Sequence, residues 1–262
     1  MTTFTYPLGR VRNTILGALL ILSVTAWAIL IWQASTADKN AMGLTMGMSA
    51  PLFLTIWIVM MVAMMFPTAA PMILMFARFY TSKRERGDPF VPTWIFVSAY
   101  MVIWVLFGVL AYVLAAKIED SARDLPWIVE NASRISGLLL ILAGLYQFSP
   151  LKRRCLSKCR TPLDFILSSW REGNGGAFRM GIEHGVYCFG CCWLLFIILF
   201  PLGVMNVAVM AVITLVIFAE KVLASGLRAA QIAAVALIVF GILVIFVPGL
   251  LPNMLPQAMP MM

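Results

Sequence analysis

Between Gly181 and Trp193 the chain carries its only histidine, His184, and three of its five cysteines, Cys188, Cys191 and Cys192. At about 100° per residue, these positions fall within an arc of about 100°, so on a helix all four side chains share one face. Thiolate and imidazole are soft donors that suit Cu(I), Zn(II) or an iron centre, and an oxygen-poor setting disfavours calcium and magnesium. The four positions climb about 12 Å along a helix axis, so this segment supplies at most two or three ligands to one ion. A second element must complete the shell.

The other two cysteines, Cys155 and Cys159, lie in the segment Pro150-Leu-Lys-Arg-Arg-Cys-Leu-Ser-Lys-Cys-Arg160. If this stretch is helical, the i, i+4 spacing turns both sulfurs to one side. The surrounding Lys152, Arg153, Arg154, Lys158 and Arg160 favour thiolate over thiol while opposing the arrival of a cation. Cysteine is also a common small apolar residue of membrane helices, and a single histidine at a helix end is often a packing residue. The clustering of His184 with three thiols argues against that plain use.

A second group of soft donors precedes Phe66-Pro67. Met60 stacks with Met64 and Met61 with Met65 at i, i+4, giving two adjacent thioether rows. Thioethers bind Cu(I) without losing a proton, although methionine is equally a flexible packing residue. Pro67 and Pro71 predict a bend or break just beyond these rows. Further methionines, Met42, Met46 and Met48 before this segment and Met254, Met259, Met261 and Met262 in the tail, are placed on the opposite side of the membrane from the thiols.

These pieces carry a resemblance. Met60-Met-Val-Ala-Met-Met-Phe-Pro67, Gly144-Leu-Tyr-Gln147 running into Pro150-Leu-Lys152, the Cys155/Cys159 pair, Gly185 to Trp193, and Met205-Asn206 with Glu220-Lys221 resemble a prokaryotic family of unknown function described as predicted metal-binding integral membrane proteins. The resemblance covers most of the chain after residue 50 and implies a bound metal. His184 is outside its most specific motifs.

The elements that position these residues are read from composition. Hydrophobic residues make up 62% of the 262 and charged residues 11%, against about 45–50% and about 25% in an ordinary soluble domain. The chain is therefore expected to be a single all-α integral membrane domain, 1–262, a polytopic transmembrane helical bundle. Seven apolar runs are predicted to span: 15–33, 51–77, 93–116, 135–150, 181–203, 204–219 and 229–251. The first follows Arg10 and Arg12 but lacks a small-x-small cleavage site, so it reads as a helix and not as a secretory signal. Pro162 to Trp170 reads as a short amphipathic helix with Leu163, Phe165, Ile166 and Trp170 in the headgroup region.

With the N-terminus inside, 15 of the 19 basic residues fall in inner segments, which predicts a cytoplasmic N-terminus and an external C-terminus in a prokaryotic inner membrane. The formal charge of +8 is thereby a topology signal, not a nucleic-acid footprint. Glu220 and Lys221 are expected at the inner interface, paired locally, and Asn206 as a cap or turn.

The function expected is the binding of a soft transition metal, copper ahead of zinc or iron, for transport, delivery or metalloenzyme assembly. The ligands would be drawn from Cys188, Cys191, Cys192, His184, Cys155, Cys159, Met60, Met61, Met64 and Met65. Partners would be the lipid bilayer, membrane-complex subunits or a metal-acceptor protein. Two other readings stay open: an accessory subunit of a respiratory, photosynthetic or oxidase complex, and a membrane thiol redox protein. With one histidine, no Gly-x-Ser-x-Gly elbow and no phosphate loop, no catalytic constellation is recognised.

Overall fold

The computed structural model describes residues 8–36, 43–45, 47–85, 91–247 and 250–251. Met42, Met46 and the tail methionines Met254, Met259, Met261 and Met262 lie outside the described residues.

Regular structure in the described residues is entirely helical, so the expected all-α bundle is observed. The helices are α1 (Leu8–Thr36), α2 (Ala50–Glu85), α3 (Thr93–Asp124), α4 (Pro126–Glu130), α5 (Ala132–Gln147), α6 (Pro150–Arg160), α7 (Pro162–Ser169), α8 (Gly173–Ile197), α9 (Leu199–Leu202), α10 (Val207–Val222) and α11 (Gly226–Phe246). Five are long and apolar enough to cross a membrane, with α9 continuing α8, and a sixth if α5 and α6, bent by 62°, form one broken span. This is fewer than the seven runs predicted. Helix α10 has 16 residues and rises only about 24 Å, short of a hydrocarbon core of about 30 Å.

Helix α2 is not broken at its prolines: Pro67 and Pro71 sit inside one continuous helix from Ala50 to Glu85. Pro67 lacks the N–H that would bond the Ala63 carbonyl four residues back. That carbonyl instead accepts from the Ser23 hydroxyl at 3.0 Å and the Trp27 indole N–H at 3.1 Å, both on α1. A neighbouring helix thus satisfies the group that proline frees, which is how proline is tolerated where water is absent.

Helix α8 starts eight residues before the predicted span, at Gly173, where φ is +72° and glycine carries no strain. The glycine-rich Gly173-Asn-Gly-Gly176 reads as loop by composition, but it forms the first turn of the helix. Just before it, Lys83 of α2 lies 2.6 Å from Glu172 and holds that carboxyl below its ordinary pKa range.

Helix α7 also departs from its expected role. Leu163 and Leu167 are exposed, but Phe165 and Ile166 are buried within the protein, and Trp170 stacks over Tyr80 at 4.9 Å and Phe79 at 5.8 Å. Part of its apolar face, Phe165 and Ile166, is therefore covered by the protein, while Leu163 and Leu167 remain outward. Asn206 does cap α10, its side chain accepting from the Val209 N–H at 3.2 Å.

Candidate metal centre

Helix α8 is drawn against α3 by missing side chains. A Cβ at Gly181 would run into the Phe96 carbonyl, and one at Gly185 would lie 2.7 Å from Ile103. This close approach brings His184 and Cys188, on the same face of α8, against Tyr100 of α3.

Helix α6 covers another side of α8. The bend at Phe148-Ser149 turns the chain, Ser149 caps α6 by accepting from the Lys152 N–H at 3.1 Å, and Pro150 occupies the first turn. Tyr146 donates to the Gly190 carbonyl, and the absence of a side chain at Gly190 leaves room for Cys155, whose sulfur would meet a Cβ there at 2.7 Å.

The five cysteines are all free and all buried. Four of them converge. The Cys191 and Cys192 sulfurs are 3.1 Å apart, and each is directed at the Cys188 carbonyl, at 3.1 Å and 3.0 Å. Cys159, buried on α6 where that helix packs against α8, is the fourth thiol of this neighbourhood. The Cys188 sulfur is also 3.1 Å from the Tyr100 hydroxyl and accepts from the Lys221 ammonium at 3.0 Å. Cys155 faces Gly190 and stands outside this hydrogen-bonded group.

His184 lies 2% exposed between aromatic rings, stacked with Tyr100 at 5.4 Å and Phe96 at 5.8 Å and edge-on to Phe165 at 5.5 Å. Its Nδ1 has no hydrogen-bond partner. A buried imidazole nitrogen left without a partner is costly unless something else engages it.

Contrary to the local pairing expected from sequence, Glu220 and Lys221 are paired not with each other but with other helices. Both are buried in the bundle. Glu220 instead takes Lys152 of α6 at 2.7 Å, each side chain 1% exposed, and Lys152 also donates to Gln147 of α5. Lys221 turns to the thiols. The C-terminal end of α10 thus delivers one charge to α6 and another to α8.

Met60, Met61, Met64 and Met65 are fully buried in the same core, and Met65 sulfur is 3.9 Å from the Thr68 hydroxyl. Among the described residues, no three His, Cys, Asp or Glu side chains are disposed as a ligand set. The Cys191 and Cys192 sulfurs in particular stand too close for a regular site. At a metal–sulfur distance of about 2.3 Å, sulfurs this close would subtend only about 85° at the metal. Rotation of their side chains away from the Cys188 carbonyl would open that angle. In other respects the donors fit a soft monovalent ion: several thiols, an imidazole whose Nδ1 has no partner among the described residues, and a carboxylate, Glu220, already engaged by Lys152.

Of the residues around this centre, Tyr100 gave no sequence signal, because it is one of many aromatics in an apolar helix. Lys152 was recognised only as part of a basic run. A burial signal did exist for Lys221, since a charge following Val216-Ile-Phe-Ala219 is expensive in a membrane and asks for a partner.

The chain is thus an all-helical apolar bundle that encloses a group of thiols. The PpoB2 family, described as a copper chaperone, matches residues 54–244, and the chain belongs to this family. The match runs from α2 into α11 and includes every cysteine, His184 and Lys221. No curated protein and no solved structure matches the chain.

Proposed function

We propose that this chain is an integral membrane copper chaperone that takes up Cu(I) between the thiols of α6 and α8 and passes it to an acceptor protein, such as a metalloenzyme under assembly. The observation that carries this reading is the gathering of Cys188, Cys191 and Cys192 inside an apolar bundle, with the Cys191 and Cys192 sulfurs 3.1 Å apart and α6, which bears Cys159, packed against their helix. Cysteine thiolates select soft ions, and these thiols are buried among apolar side chains with few oxygen donors for a hard cation. Copper is thus cargo, held by Cys188 and its neighbours and released by exchange onto a partner's own soft ligands.

The free Nδ1 of His184 supplies one more donor one helical turn from Cys188. Met60, Met61, Met64 and Met65 place thioethers in the same core on α2. Basic segments gather at the end of the bundle where α6, the start of α8 and the end of α10 meet, and the excess of positive charge makes that end cytoplasmic.

The test is an anaerobic titration of the reduced, detergent-purified full chain with Cu(I) in competition with a colorimetric chelator. Binding that vanishes when Cys188, Cys191 and Cys192 are replaced together by serine supports the site. Undiminished binding in that variant would refute it.

A further inference from the structure

The thiols of Cys188, Cys191 and Cys192 are at most 1% exposed, so neither an ion nor an acceptor can reach them without movement of a covering element. The element best placed to move is α6. It follows a 62° break from α5, so it can swing about Phe148-Ser149 without unwinding either helix. It lies chiefly on α8, with Cys155 against Gly190 and Cys159 buried on the same helix.

Both ends of α6 are fastened to α10 by charge. At its first turn, Lys152 forms the buried pair with Glu220. At its last residue, the Arg160 guanidinium donates to three carbonyls that close α10, Glu220 at 2.5 Å, Leu223 at 2.9 Å and Ala224 at 3.3 Å. A cation on carbonyls at a helix C-terminus is favourable electrostatically, and this one lies at the surface, where solvent or a docking partner can compete for it.

We propose that α6 is the movable cover of the thiol cluster and that Lys152 and Arg160 are positioning residues that latch it to α10. The latch rests on the copper reading for its purpose, but its mechanics need no metal. Opening breaks the Arg160 contacts first and lifts Cys159 away from Cys188, which exposes the cluster on the face where α6 lay.

The test follows thiol access in the full chain, reduced and in lipid nanodiscs, with N-ethylmaleimide as the probe and mass spectrometry as the readout. Replacing Arg160→Gln is expected to raise the labelling rate of Cys188, Cys191 and Cys192 about tenfold, since hydrogen bonds to a charged group bias an equilibrium by at least that factor. Arg160→Lys, which keeps the charge, is expected to restore part of the protection. Wild-type labelling in Arg160→Gln overturns the latch. A Lys152→Glu, Glu220→Lys exchange provides a second reading at the buried end: protection retained in the exchange but lost in Glu220→Gln supports it, and equal labelling in both overturns it. Because alkylation requires no copper, failure here leaves the metal-binding reading standing, and raised labelling in Arg160→Gln together with Cu(I) binding undiminished by replacing Cys188, Cys191 and Cys192 with serine does the reverse.

Discussion

The Lys221 ammonium lies 3.0 Å from the Cys188 sulfur, and among the described residues no carboxylate stands within ion-pair distance of it. Glu220, its neighbour in sequence, spends its carboxylate on Lys152. A buried cation is costly unless paired, so α10 is tied to the thiol cluster by charge as well as by packing. Lys221→Met removes one charge-assisted hydrogen bond and is expected to cost about 1.5–3 kcal/mol. Lys221→Glu sets a second buried carboxylate beside Glu220 and against sulfur, and should cost more, about 3–5 kcal/mol. Thermal unfolding in detergent, followed by circular dichroism, ranks the two. Equal midpoints would mean that the charge is not held by the cluster.

Cys155 and Cys159 look equivalent in sequence, four residues apart on one basic helix, but the fold separates them. Cys159 faces the thiols of Cys188 and Cys191, whereas Cys155 faces Gly190. Cys159→Ser is therefore expected to weaken Cu(I) binding tenfold or more, about 1.4 kcal/mol, while Cys155→Ser leaves it within about twofold. Chelator competition measures both. Comparable losses would place Cys155 in the ligand set after all.

How much of this was legible beforehand follows from the range of each interaction. The shared face of His184, Cys188, Cys191 and Cys192 is set by helix periodicity alone, so it is readable from spacing, and so is the apolar bundle. The partners of Glu220 and Lys221 are not readable in the same way. Adjacent residues on a helix point about 100° apart, so one of them turns to α6 and the other to α8, and only the packing of three helices decides which. The α7 face failed for a related reason: amphipathicity reports that Phe165 and Ile166 must be covered but not whether lipid or His184 and its neighbours cover them. The early start of α8 was hidden by Gly173, Gly175 and Gly176, which are poor helix formers alone but acceptable where tertiary packing holds the turn.

The cost of the buried Lys152–Glu220 pair can be read by comparing a variant that breaks it with one that removes both charges. Glu220→Gln leaves the Lys152 ammonium without a counter-charge and is expected to destabilise the bundle by about 3–5 kcal/mol. Lys152→Met combined with Glu220→Leu removes both charges and should recover most of that loss, because well-packed apolar replacements of buried ion pairs are often neutral or better. A double variant no more stable than Glu220→Gln would show that Gln147, Lys152 and Glu220 act as a network and not as a pair.

The carbonyl of Ala63 offers the sharpest test of how α2 survives its prolines. It accepts from Ser23 and Trp27 because Pro67 cannot donate to it. Ser23→Ala in the native background removes one of two donors and should cost about 0.5–1.5 kcal/mol. In a Pro67→Ala background the restored N–H of residue 67 reclaims the carbonyl, and the hydroxyl of Ser23 becomes partly redundant. The same Ser23→Ala change is then expected to cost less, with an interaction energy of at least about 0.5 kcal/mol between the two sites. Strict additivity in the unfolding midpoints would mean that Ser23 serves α1–α2 packing in general and not the gap left by proline. Coupling of the expected sign would establish that α1, which lies outside the region matched by the copper chaperone family, completes a hydrogen bond that α2 lacks on its own.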